Sequence, residues 1–137
     1  MKRTAGLLLA IVLTLGGVAG TSQAAKGKKV KTEVEIEGVT YLDAPPRAVY
    51  FGDVHALKSK CERRRHVTVY YDNDPGPGDD IVEVGEDTTD RTGDFEVSVE
   101  LIGESAYHAI VDKRKVGKAE KRLVCKKATS PPFYDVD

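Results

Sequence analysis

The chain has 137 residues, of which 40% are hydrophobic and 31% charged, a composition that suits one globular domain and leaves too little chain for two. Its 21 Lys and Arg against 22 Asp and Glu exclude a generally basic nucleic-acid binder and an acidic disordered chain. Two cysteines are too few for a typical thiolate zinc centre.

Residues 1–24 have the order of a signal peptide. Lys2 and Arg3 precede an uncharged, mostly apolar run from Ala5 to Gly20, and Ser22 and Ala24 supply the small residues at the exit. The run is shorter than the roughly 20 apolar residues of a membrane span, and Gly16-Gly17 weakens its end. Cleavage after Ala24 is expected, with no membrane association afterwards and no lipoprotein cysteine at the exit. It removes Lys2 and Arg3 and no acid, so 19 bases face 22 acids and the mature charge is −3. The protein is therefore read as secreted.

In an oxidising compartment Cys61 and Cys125 read as one disulfide. It closes a loop of about 65 residues, worth at most roughly 4 kcal/mol by chain entropy.

After a basic lead-in at 25–29, the domain is expected to span 30–127. Val30 to Glu37 alternates apolar and polar, the mark of a strand with one wet face. Gly38 to Arg47, with Pro45-Pro46, reads as a connection. Ala48–Ala56 is a second strand, with Gly52 marking a bulge or close approach. A basic loop from Leu57 to Arg65 carries Cys61. His66–Tyr71 is the third strand. Asp72 to Asp80 (DNDPGPGDD) is a loop by composition. Ile81–Thr88 and Phe95–Leu101 are strands joined through Asp90-Arg91-Thr92-Gly93, which has the chemistry of a hairpin turn. Tyr107–Val111 and Arg122–Cys125 complete the set. The tail, 128–137, is expected to be irregular. Seven short strands without helical periodicity predict an antiparallel all-β sandwich, prealbumin-like or immunoglobulin-like.

The segment Thr89-Asp90-Arg91-Thr92-Gly93-Asp94-Phe95 resembles the T-D-x-x-G-x-F hairpin of prealbumin-like sandwiches, which include carboxypeptidase regulatory-like and transthyretin-like domains. The start at Cys61, Arg65, Val67 and Val69 and the terminal Cys125 are similar to small secreted domains of high-GC Gram-positive bacteria. The resemblance covers about half the chain and implies fold better than function. Transthyretin-like hydrolases end in a Tyr-Arg-Gly-Ser-type tail. This chain ends Tyr134-Asp135-Val136-Asp137, so the resemblance does not bring that activity with it.

Charge is unevenly placed. From Asp72 to Glu104 there are twelve acids and one base, Arg91, whereas Asp112 to Lys127 holds eight bases and two acids. Solvated faces alone account for most such runs. As a binding surface, the candidates for an anionic partner are Arg63, Arg64, Arg65, Lys113, Arg114 and Lys115. Asp72, Asp74, Asp79 and Asp80 offer hard oxygens for Ca²⁺, but Pro75 and Pro77 break the spacing of a calcium loop. His66 and His108 are expected to face water, and pairing of their strands could make them neighbours, too few ligands for a metal site. Tyr107 is expected as a buried anchor. No nucleophile turn of the G-x-S-x-G type occurs, and no cofactor is implied. The first reading is a non-catalytic binding or structural module, partnered by a cell-envelope polymer or another exported protein, and not by nucleic acid. A hydrolytic enzyme of unspecified type and a Ca²⁺-dependent adhesive module are the alternatives.

Overall fold

A computed structural model describes residues 27–72, 81–100 and 106–135. The strands are β1 (Lys28–Val30), β2 (Thr32–Asp43), β3 (Pro46–Ala56), β4 (His66–Asp72), β5 (Ile81–Thr88) and β6 (Asp94–Glu100). They continue as β7 (Ala106–Val111), β8 (Arg114–Val116), β9 (Leu123–Cys125), β10 (Ala128–Thr129) and β11 (Phe133–Tyr134). Single 3₁₀ turns occupy Ser59–Cys61 and Ala119–Lys121.

Two sheets form a β-sandwich. One has the order β2-β3-β6; the other runs β10-β7-β4-β5, with β11 also on β7. Alternation explains the core. Val34 and Ile36 of β2, Ala48, Tyr50 and Val54 of β3, and Phe95, Val97 and Val99 of β6 point inward. They meet Val67, Val69, Tyr107, Ala109 and Val111 from the facing sheet. Each fully buried side chain of this size contributes about 1.5–3 kcal/mol. The two sheets also approach at their edges, β5 beside β6 and β2 beside β10.

A bulge between Ile36 and Gly38 shifts the phase of β2, so that Val39 faces inward after it. Gly52 lies between Ile36 and Phe95 in the cross-strand register. A Cβ there would stand 2.0 Å from the Glu35 carbonyl oxygen and 2.8 Å from the Phe95 ring, so only glycine fits. The expected close approach is therefore present.

Several boundaries differ from expectation. The segment 38–47 is not a loose connection: β2 and β3 form one long hairpin, paired from Thr32↔Ala56 to Asp43↔Pro46. The end of β2, Thr40–Asp43, is exposed at every position and shows no burial pattern to read. The lead-in contributes β1, which runs parallel to β9. The tail is not irregular, because β10 and β11 lie antiparallel along β7 and cover its free edge. The Asp90–Gly93 turn does not close a ladder hairpin. It carries the chain from β5 in one sheet to β6 in the other. The turn chemistry itself is as expected. One Asp90 carboxylate oxygen accepts from the backbone N–H of Thr92, Gly93 and Asp94 at 2.7–3.1 Å, and Gly93 has φ +104°.

A third, small sheet, β1-β9-β8, closes one end. Cys61 and Cys125 form the disulfide, Cα atoms 5.3 Å apart, and pack with Val30 as a second buried cluster. Among the described residues no helix is long and apolar enough to cross a membrane.

Candidate anion-binding site

The disulfide end is built on a buried cation. Arg65 has 0% exposure. Its Nη1 donates to the Cys61 carbonyl at 2.6 Å and to Thr32 Oγ1 at 3.3 Å. Its Nη2 donates to the carbonyls of Asp112 and Lys126. One guanidinium thus joins β2, the Ser59–Cys61 turn and the segments after β7 and β9. Burial, then repulsion from Arg114, lowers its pKa from the usual arginine value. This corrects the expectation that Arg65 meets a partner. The side chain is a strut inside the fold.

Thr89, also buried, grips the same loop. Its N–H donates to the Arg65 carbonyl, its carbonyl accepts from Arg64 N, and its hydroxyl donates to the Glu62 carbonyl. Cys61 and Arg65 therefore point inward, and Lys60, Arg63 and Arg64 are left outside. Arg64 holds φ +52°, a left-handed conformation that costs a non-glycine residue roughly 1–2 kcal/mol.

Arg114, at the start of β8, reaches across to this loop. Its Nη1 donates to the Arg63 carbonyl at 3.1 Å and to the Arg64 carbonyl. Arg91 approaches from the β5–β6 turn. Lys60, Arg63, Arg64, Arg91 and Arg114 line one depression of about 270 Å³, with Val116 as its apolar element. No carboxylate lines it among the described residues. Three other depressions mix signs: Arg47 with Glu83 and Glu100, Lys31 with Glu33 and Glu62, and Lys31 with Glu33 and Glu35.

Of the six bases proposed from the sequence, Arg63, Arg64 and Arg114 converge here. Lys115 does not. Strand alternation puts it on the other face of the small sheet, where it lies in register with Val124 and Lys29. Lys113 is exposed and outside the lining. Lys60 and Arg91 were missing from the proposed set. The signal for Arg91 was its isolation as the one base in an acidic stretch.

The acids have a face of their own. Glu35, Asp53 and Asp94 stand in one cross-strand row on the outside of the β2-β3-β6 sheet. Asp53 is pushed above the usual carboxylate range by burial first, with repulsion from Glu37, Glu35 and Asp94 outweighed in part by His55. Asp72 is a buried residue of β4, its carboxylate 3.8 Å from His108 Nε2. Asp74, Asp79 and Asp80 lie outside the described residues. Among the described residues no three His, Cys, Asp or Glu side chains group as metal ligands.

β4 and β7 do pair, yet His66 and His108 are not neighbours. His108 sits opposite Tyr70, whereas His66 lies between Glu86 Oε2 at 2.8 Å and Asp112 Oδ2 at 3.1 Å. The Glu86 hydrogen bond is the main cause of its raised pKa. Tyr107 is the buried anchor expected, its ring 4.3 Å from that of Tyr50.

The depression offers positive charge and hydrogen-bond donors, the chemistry that holds an anion. No family model, curated protein or solved structure matches the chain.

Proposed function

We propose that this chain is a secreted, non-catalytic binding module that holds an anionic polymer of the cell envelope, or an exported partner, through the basic depression. The convergence of five cationic side chains on one carboxylate-free depression carries this reading. Like charges brought together cost free energy on folding, and a bound anion repays that cost. The signal-peptide pattern of residues 1–24 and the disulfide support the location outside the cell. The Thr89–Phe95 turn is the basis for relating the domain to prealbumin-like sandwiches, whose accessory members bind or support rather than catalyse.

Sedimentation of the mature protein with purified Gram-positive cell walls across a salt series tests the function. Binding that falls steeply with salt, and that weakens in the double variant Arg63→Ala/Arg64→Gly, is expected. Glycine at position 64 accepts the positive φ, so this pair removes charge without adding backbone strain. Absence of binding at low salt would sink the envelope-polymer reading.

A further inference from the structure

The depression is built from three separate chain segments. Lys60 comes from the 3₁₀ turn, Arg63 and Arg64 from the loop after it, Arg91 from the β5–β6 turn and Arg114 from β8. Donors arriving from several directions match an anion whose oxygens point in several directions. A carboxylate has two oxygens in one plane and a single charge, and would leave most of these cations unbalanced. A tetrahedral phosphoryl or sulfuryl group presents its oxygens around a centre, and four of the five lining cations are guanidinium forks suited to such oxygens.

The backbone that presents these cations is pinned. The Arg114 guanidinium is held by two carbonyls, the Arg64 N–H by the Thr89 carbonyl, and the loop beneath by Arg65 and the disulfide. A backbone already in place loses little conformational freedom on binding. Val116 adds an apolar wall, which strengthens charge–charge attraction beside it.

We propose that the depression is a selective site for a multiply charged tetrahedral oxyanion, a phosphoryl or sulfuryl group, and that it discriminates against carboxylates of equal charge. The proposal takes its location from the binding reading above and adds the chemical class of the ligand.

The test is calorimetric titration of the intact mature protein with inorganic pyrophosphate, sulfate and citrate at matched ionic strength. Pyrophosphate is expected to bind about tenfold or more tightly than citrate, which separates tetrahedral geometry from charge. Inorganic phosphate titrated beside sulfate at about pH 8, where both are doubly charged tetrahedral oxyanions, separates the sources: tighter phosphate identifies a phosphoryl group and tighter sulfate a sulfuryl one. The double variant Lys60→Ala/Arg91→Ala removes lining charge but none of the frame contacts named above, and is expected to lose about tenfold or more in pyrophosphate affinity with a melting temperature equal to the parent's or higher. Lys29→Ala/Lys115→Ala, on the far face of the small sheet, is expected to bind as the parent does. Equal affinity for pyrophosphate and citrate, or none for pyrophosphate, would overturn the proposal. Cell-wall binding without pyrophosphate binding overturns this assignment and keeps the module reading. Pyrophosphate binding without cell-wall binding keeps this assignment and overturns the envelope-polymer reading.

Discussion

Thr89 holds the Arg65 backbone through two hydrogen bonds that run in opposite directions. The Thr89 N–H donates to the Arg65 carbonyl at 2.8 Å, and Arg65 N–H donates to Thr89 Oγ1 at 2.8 Å. Two residues far apart in the chain thereby fix where the Arg65 side chain enters the interior, and with it the loop that displays Arg63 and Arg64.

Arg65→Met is expected to destabilise the domain by about 3 kcal/mol or more. It strands buried acceptors at Cys61 and Thr32, each worth about 1–3 kcal/mol when left unpaired, and part-buried ones at Asp112 and Lys126. Arg65→Lys is expected to recover only part, because one ammonium cannot span acceptors served by two separated nitrogens. Urea denaturation reads both variants. A loss under about 1 kcal/mol for Arg65→Met would contradict the strut.

Gly93→Ala is expected to cost about 1–3 kcal/mol. The residue sits at φ +104°, and an added Cβ would stand 2.7 Å from the Val54 carbonyl oxygen. That oxygen belongs to the backbone of β3 and has little room to give. The same denaturation experiment checks it. A neutral result would mean that the turn adopts another conformation in solution.

Asp53→Asn is expected to stabilise the protein at pH 7, by under about 1 kcal/mol. The sign follows from the raised Asp53 pKa, caused by burial and then by its acidic neighbours. A carboxyl raised on folding contributes its stability when protonated, below its unfolded pKa, and loses it as pH rises through the folded value. At pH 7 the parent carries that cost and the amide does not. The difference should shrink as pH falls through the carboxylate range, which melting curves at pH 3 and pH 7 would show. A variant less stable than the parent at pH 7 would mean that the pairing of Asp53 with His55 outweighs burial.

Asp135→Ala is expected to loosen the tail without unfolding the sandwich. The Asp135 carboxylate accepts hydrogen bonds from the hydroxyls of Tyr41 and Tyr50, the latter at 2.8 Å. Two-residue strands β10 and β11 have few ladder bonds of their own. Hydrogen exchange is expected to quicken at Phe133 and Tyr134, with β3 and β6 unchanged. Uniform acceleration across the domain would show that the tail belongs to the cooperative core.

The central strands were legible because burial on one face writes an alternating pattern into the sequence, as in Thr32–Glu37 of β2 and Phe95–Glu100 of β6. Elements without that asymmetry were not legible. The end of β2 at Thr40–Asp43 is exposed at every position, and β10 and β11 are too short to show a period. The basic site was half legible. Arg63 and Arg64 adjoin in the chain, and Arg114 belongs to a visibly basic run, but Arg91 arrives from an acidic segment.

By itself the sequence determined the all-β class, the cysteine pair and the turn chemistry at Asp90–Gly93, because each follows from local preference, composition or the count of partners. Only the tertiary structure decided that this turn crosses between sheets, that the tail covers the edge of β7, and that Arg65 lies inside while Arg64 lies outside. Those outcomes depend on which distant backbone carbonyls and sheet edges lack a partner. That need is set by packing, and no local pattern of residues records it.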